Sequence, residues 1–319
     1  MRRFFSDDSF WNQPIPDEAR PDPRSDHCIE LLSTEPTGGF HLNIHEYTIP
    51  VYVAGPETPL RRVHQRDVGD GERSGWRFPP PRNLPPSLGE GFGPEVPIPD
   101  GAVPDPARDA HMAVVDWDRG LAWDMWRAGR RENGEWESFC GMEYPLDGAG
   151  VWSTDDFPVV DGESVHCHGP SRAAGVPAIA GLIMYEEVRA GHIHHKLACA
   201  TRFGAYKEFV WPATWTDAGY PAGFPEGGVI QLDPGLDLDR FYLAPAARTV
   251  ARALQEYGAV NVDGAGGSVL YGEGLYHDDA RTWNGLLDEN ELKQIPMDHY
   301  RVLELGEITP KGDARHKRS

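Results

Sequence analysis

The chain has 319 residues, 39% of them apolar, with 36 Gly and 29 Pro. That length can bury a large core, and the Gly and Pro usage fits many short strands joined by many turns better than a helical bundle. A formal net charge of -20 repels phosphate backbones and anionic membranes, which disfavours nucleic-acid and membrane partners. No apolar run reaches the roughly 18 to 20 residues of a spanning helix, and MRRFFSDDSF at the start has no apolar core of a secretory leader. Cys28, Cys140, Cys167 and Cys199 are widely spaced and form no Cys-x-x-Cys, so a zinc ribbon or thioredoxin motif is excluded. Two disulfides and buried free thiols both stay open.

Residues 1–110 read as a Pro/Gly-rich wrap of the same domain, with a short strand at Tyr47 to Val53. Within it PIPDEARPDPRSD (Pro14 to Asp26) returns as PIPDGAVPDPARD (Pro97 to Asp109), nine of thirteen positions matching. The flanks diverge, so these are two similar extended lead-ins and no domain duplication. Asp67 to Pro99 is dense in Gly and Pro and is expected to form a long surface loop.

From His111 the pattern becomes β. HMAVVDWD, a turn at Arg119-Gly120 and LAWDMWRA predict a hairpin. Alternation in its second strand puts Leu121, Trp123 and Met125 on one face and Ala122, Asp124 and Trp126 on the other. A carboxylate beside an indole suits a sugar, whose C–H faces stack on aromatics while its hydroxyls bond to acids; a strand buried on both faces is the plain alternative. Gly148 to Gly175 is irregular and carries Asp155, Asp156, His166, His168 and Arg172. His166 and His168 would share a strand face as metal-binding pairs do, but no Glu follows at the spacing of a cupin-type site.

PAIAGLIM (Pro177 to Met184) is apolar throughout and predicts a buried strand or the approach to one. Tyr185 to Gly191 reads as a helical turn closed by Gly. In a strand from His192 to Ala200, parity puts His192, His194 and Lys196 on the solvent side and Ile193, His195, Leu197 and Cys199 on the apolar side. His195 is then a satisfied core residue or, if that face is concave, an acid or base. Trp211 to Asp217 (WPATWTD) follows a strand at Glu208 to Val210 and is expected to rim a groove, with packing of Trp211 under a loop as the plain alternative. Gly227 to Leu232 is a strand. Asp233, Asp237 and Asp239 after it lack the spacing of a calcium loop, and turn and capping roles fit them better. Pro245 to Tyr257 is the clear helix, with Gly258 past its end and Ala247, Val250, Ala251, Leu254 and Tyr257 as its packing stripe. AVNVDGAGGSVLYGE predicts a hairpin around Gly264 to Gly267. The core is expected over 111–305, with a charged, disordered tail over 306–319.

The ordered series WNQPIP, DAHMAVVD, WDMWRA, GVPAIAGLIMYEEVRAGHIHHKLACA, WPATWTD, GGVIQLDPGLDL and ALQEYGAVNVDGAG resembles a family of secreted, largely uncharacterised proteins common in actinobacteria and also found in fungi. The resemblance runs from Phe10 to about Glu273. It implies export, and an antiparallel β-sandwich of jelly-roll or concanavalin-like type with one or two short helices, the architecture many polysaccharide lyases and hydrolases share. His111, His195 and Asp217 fall in its recurring motifs, whereas His192 and His194 stand where other residue types are usual.

The expectation for function is an extracellular enzyme degrading a polysaccharide or oligosaccharide, or a cytoplasmic one if no leader exists, acting as a monomer without a cofactor, with structural calcium allowed. As a lyase on a uronate polymer it would use His195 or His111 as base, Arg172 to neutralise the carboxylate and Tyr206 or Tyr185 as acid. As a glycoside hydrolase it would pair Asp124 with Asp217 or Glu187. Histidines outnumber paired acids at the recurring positions, which favours the lyase. Trp126, Trp215 and Tyr206 would contact the sugar. A non-catalytic carbohydrate-binding protein, with its ten Trp as stacking platforms, is the alternative from a different class; a metal-dependent oxygenase or isomerase built on His166 and His168 is a third.

Overall fold

A computed structural model describes residues 2–65, 95–152, 159–160, 163–164, 170–276, 278 and 280–310. Asp155, Asp156, His166, Cys167 and His168 lie outside that set, as do most of the 67–99 stretch and residues 311–319. The chain is 30% strand and 15% helix. Among the described residues there are three α-helices: α1 (Ser25–Ser33), α2 (Tyr185–Ala190) and α3 (Pro245–Glu256).

Two large sheets dominate. The first has six strands: β1 (His41–Asn43), β6 (Leu197–Thr201), β9 (Val229–Leu232), β10 (Ala259–Gly264), β11 (Val269–Tyr271) and β13 (Tyr300–Val302), in the order β1-β11-β6-β10-β9-β13. The second has five: β2 (Ile49–Ala54), β3 (Met112–Asp116), β4 (Leu121–Trp126), β5 (Cys140–Pro145) and β12 (Glu273–Gly274), in the order β5-β4-β3-β2-β12. A smaller sheet joins β7 (Gly204–Val210) to β8 (Phe224–Glu226) and β14 (Ile308–Pro310), so ordered chain continues to residue 310. The sheets are mixed, which corrects the expected antiparallel pairing. The pairs β1–β11, β6–β10 and β2–β3 are parallel, while β3–β4 and β4–β5 are antiparallel.

Alternation along the strands explains the layering. Ala198, Ala200, Val260 and Val262 of the six-stranded sheet share one core with Val51, Ala113, Val115, Ala122 and Met142 of the five-stranded sheet. The intervening residues Leu197, Cys199, Ala259 and Leu270 face the helices, where Val250 and Leu254 of α3 and Leu32 of α1 cover them. On the far side of the five-stranded sheet, Val114, Trp123 and Met125 make a third core with Trp136. Both sheets thus contribute side chains to a common core layer.

The predicted 111–126 hairpin, with Gly120 at φ 66°, forms as β3 and β4. Helix α2 ends at Gly191 in the left-handed conformation, and the α3 stripe is buried at all five positions. Asp233 and Asp237 accept turn N–H bonds from Gly235 and Asp239. Three expectations are corrected. Gly264 to Gly267 does not turn a hairpin, because β6 lies between β10 and β11; its small residues Ala198, Cys199 and Ala200 fit a central strand covered on both faces. Residues 192–196 precede the strand and do not belong to it, so the parity argument fails for Lys196, which is buried and donates to the Gln13 carbonyl. Helix α1 was not expected in a proline-rich stretch, yet Cys28, Ile29 and Leu32 supply the apolar spacing that docks it.

The near repeat has a structural counterpart. Asp22 and Asp105 each accept the N–H two residues on (Arg24 and Ala107, both 2.8 Å) with one carboxylate oxygen. The other oxygen holds a remote backbone N–H, that of Leu305 or Thr48. Each is an Asx turn used as a clasp.

Candidate functional site

The common core layer contains buried polar residues. Asp124 points inward from β4, on the same face as Ala122, and is fully buried. Its oxygens accept from the backbone N–H groups of Ser171 (3.0 Å) and Ala178 (2.6 Å), so it pins both ends of the 171–178 turn. That turn is fastened at two further points. Ala174 N–H donates to the Val262 carbonyl of β10 (3.0 Å), and Thr214 N–H donates to the Ala174 carbonyl (2.9 Å). Burial pushes the Asp124 carboxyl up to about 7 against the bonds that favour its charged form.

The turn presents Arg172. Its side chain is buried at 3% exposure, with Cζ 3.6 Å from the centroid of the Tyr271 ring of β11. Among the described residues, none of its three guanidinium nitrogens has a hydrogen-bond partner, and the side chain makes no ion pair. His111 is beside the same turn, with Nδ1 3.5 Å from Ser171 Oγ. Burial, then the positive charge of Arg172, hold that imidazole well below the usual histidine range, so it is neutral and sealed in.

Asp263 completes the cluster and was not expected. The register of β6 against β10 shifts from Cys199 opposite Asn261 to Ala200 opposite Asp263, leaving Val262 as the extra residue of a bulge. The bulge turns Asp263 to the side of Ala200, which faces the common layer. Asp263 is half-buried, and Asp217, Arg172 and Asp109 all lie close enough to act on it electrostatically. Burial, reinforced by the Asp217 and Asp109 charges, raises its carboxyl well above the ordinary range. Asp217 is exposed at the end of WPATWTD, and its Oδ1 lies 3.8 Å from where a Cβ on Gly264 would stand. Tyr271 is buried and held in its neutral form. A signal for Asp263 existed in the DG pair after an apolar strand, but its orientation depends on the bulge, which alternation does not reveal.

The structure therefore brings Arg172, Asp124 and His111 together and sets Asp217 at the mouth of the same cluster. His195 is elsewhere. It is 8% exposed, with Nδ1 2.8 Å from the Lys196 carbonyl and Nε2 2.9 Å from Glu187 Oε2, beside a small recess lined by Arg2, Arg3, Phe4, Trp11 and Met184. Tyr185 packs on Trp283 on the helix side of the six-stranded sheet. Trp215, expected at a rim, is 3% exposed and faces inward. Trp126 is half-buried between Phe139 and Arg127. Tyr206 is 51% exposed on β7, where the register against β8 shifts between Gly204 and Phe209. Among the described residues no group of three or more metal-binding side chains occurs. Cys28 and Cys199 are buried free thiols.

Fold and site together define a β-rich protein of mixed sheets with a buried cation, Arg172, near the carboxyls of Asp124 and Asp263. No family model matches the chain, and neither a curated protein nor a solved structure does.

Proposed function

We propose that this chain is an extracellular polysaccharide-degrading enzyme whose reacting groups are Asp217 and Asp263. The observation behind this reading is the contrast between them. Asp217 is exposed, whereas Asp263 is half-buried and holds its proton because of burial and its neighbour's charge. A carboxyl that holds its proton beside a second, exposed carboxyl supplies the donor and acceptor that breaking a glycosidic bond requires. Asp263 replaces Asp124 in the expected carboxyl pair, since both Asp124 oxygens are engaged by backbone N–H groups. It also replaces His111 and His195, the first sealed and the second bonded at both ring nitrogens. The exposed ring of Tyr206 is a stacking surface for the sugar. Export, and closure of the two sheets as a jelly-roll or concanavalin-like sandwich, belong to the same proposal and rest on the sequence resemblance.

The test is incubation with a panel of neutral and acidic polysaccharides, following reducing ends. The expected result is cleavage of at least one polymer, with Asp263→Asn and Asp217→Asn each lowering kcat by about 10²-fold or more. Binding of a polymer without cleavage would favour a non-catalytic carbohydrate-binding protein. Cleavage that survives both substitutions would remove these residues from the reaction.

A further inference from the structure

Two Asn-Gly pairs occur in the chain, Asn133-Gly134 and Asn284-Gly285. In such a pair the side-chain carbonyl carbon of Asn lies within reach of the next backbone nitrogen, and glycine puts no Cβ in the way of ring closure. Both pairs sit in exposed turns, with Gly134 at φ 84° and Gly285 at φ 78°, and a Cβ on either glycine would meet open space. Sequence and crowding therefore do not tell them apart. Hydrogen bonding does. Gly134 N–H donates to the Arg131 carbonyl (2.9 Å), Asn133 Nδ2 donates to Glu135 Oε2 (2.8 Å), and Asn133 Oδ1 accepts from Glu135 N–H (3.1 Å). Both reacting groups of that pair are tied down. At the second pair the bonds pass the reacting atoms by. Leu286 and Leu287 N–H donate to the Trp283 carbonyl (2.9 and 3.1 Å), and Asn284 N–H donates to Thr282 Oγ1 (3.1 Å). Among the described residues, neither the Gly285 N–H nor the Asn284 side-chain amide has a partner. Both residues line an open cleft of about 420 Å³, so solvent reaches them.

We propose that Asn284 is a site of spontaneous deamidation and that the fold protects Asn133 from the same reaction. The Gly285 amide nitrogen gives its proton to hydroxide and attacks Asn284 Cγ. The N–Cγ bond forms, the Cγ–Nδ2 bond breaks, and Nδ2 takes up a proton and leaves as ammonia. A five-membered succinimide then joins the two residues, and water opens it at either carbonyl. Addition at Cγ breaks the new N–Cγ bond and gives aspartate. Addition at the Asn284 backbone carbonyl breaks the original peptide bond and gives isoaspartate, in which the chain runs through the side chain. One water is consumed and one ammonia released, so no further reactant is needed. Either product adds a negative charge to a cleft already lined by Asp288, Glu289 and Glu291. Isoaspartate also lengthens the backbone between two anchored residues. Trp283 is buried, donates from Nε1 to the Glu273 carbonyl of β12 and packs on Tyr185, while Leu287 is buried in the same core. A longer backbone between them strains the two bonds to the Trp283 carbonyl and disturbs a close-packed region.

The experiment incubates the full chain at mildly alkaline pH and follows aspartate and isoaspartate at 284 and 133 by peptide mapping with mass spectrometry. Isoaspartate is confirmed by transfer of a labelled methyl group from S-adenosylmethionine by an isoaspartyl methyltransferase. A parallel incubation in denaturant removes the hydrogen bonds of both pairs. In the folded chain Asn284 is expected to convert at least about tenfold faster than Asn133, the difference that a few modest hydrogen bonds make to a barrier. In denaturant the two rates are expected to converge. Asn284→Gln keeps an amide but moves its carbonyl carbon one methylene away from the Gly285 nitrogen. It is expected to stay unmodified at 284 and to hold its melting temperature through an incubation that lowers that of the wild type. Conversion of Asn133 as fast as Asn284 in the folded chain overturns the proposal, as does a ratio of rates that denaturant leaves unchanged, because sequence alone would then set it. A folded chain intact at both positions, under conditions in which the unfolded chain reacts at both, overturns it too. An equal fall in melting temperature for wild type and Asn284→Gln overturns the coupling of this turn to the core.

Discussion

Asp124 and Asp263 are both carboxyls held above their usual range by burial, and they do different work. Asp124 satisfies two backbone N–H groups and acts on the site through the turn it pins. Replacing it by Asn would aim an N–H2 at one of those donors and leave a buried N–H without an acceptor. The expected cost is about 1–3 kcal/mol, seen as a lower denaturation midpoint. An Asp124→Asn protein as stable as the wild type would argue against this division of labour. Asp124 is singled out in the sequence by strand alternation, Arg172 as a charged residue of the irregular 148–175 segment, and His111 by the recurring motif it falls in. For Asp263 the DG pair marks the position but not the orientation, because only a one-residue bulge separates a carboxyl facing solvent from one facing the core.

At the scale of elements, the strongest local signals survive. Helix α3 has Pro at its first turn, a continuous apolar stripe and Gly258 in the left-handed region beyond its end. The β3–β4 hairpin follows from a Gly turn between two alternating segments. What local pattern does not carry is which strands become neighbours. Leu197–Thr201 enters between β10 and β11, although the turn residues at 264–267 suggest that those two strands pair directly. The stretch at 177–184 shows the same limit. It is apolar enough for a strand but runs as turns, because Gly181 at φ 69° passes hard against β6. A Cβ there would stand 2.4 Å from the Ala198 nitrogen. Gly181→Ala is accordingly expected to cost more than about 3 kcal/mol, combining backbone strain with a clash that no rotamer relieves. A melting temperature within a degree or two of wild type would contradict that packing.

Over the whole molecule, most displaced titrations push stability the same way. Asp124, Asp263, Glu35, Glu143 and Glu273 are all raised, mainly by burial. Each therefore holds a proton in the folded state at a pH where the unfolded chain has released it, so stability falls as pH climbs from the ordinary carboxyl range to the raised one. His195 adds to this. Burial lowers its affinity for the proton, but the Glu187 charge and the bonds to Glu187 and Lys196 outweigh it, and its pKa is raised. Both ring nitrogens face oxygen acceptors, so both carry hydrogen. Its contribution is complete below the ordinary histidine value and is lost as pH rises through the folded one. His111 and His41, both lowered, work in the opposite direction, and only up to the ordinary histidine range. The melting temperature is expected to be higher near pH 5 than near pH 8, roughly across the span these groups cover. A flat or rising profile measured by calorimetry would contradict it.

The way the six-stranded sheet closes bears on how the protein is made. His41 pairs with Val269, the Arg20 carbonyl accepts from Glu304, and Asp22 N–H donates to Val302, so the first and last parts of the chain meet. During translation, helix α1 and β1 leave the ribosome long before the strands that cover them exist. The early half must wait with apolar surface uncovered until nearly the whole chain has emerged. High contact order of this kind slows folding, and it makes the nascent chain, more than the finished protein, the form that depends on chaperones.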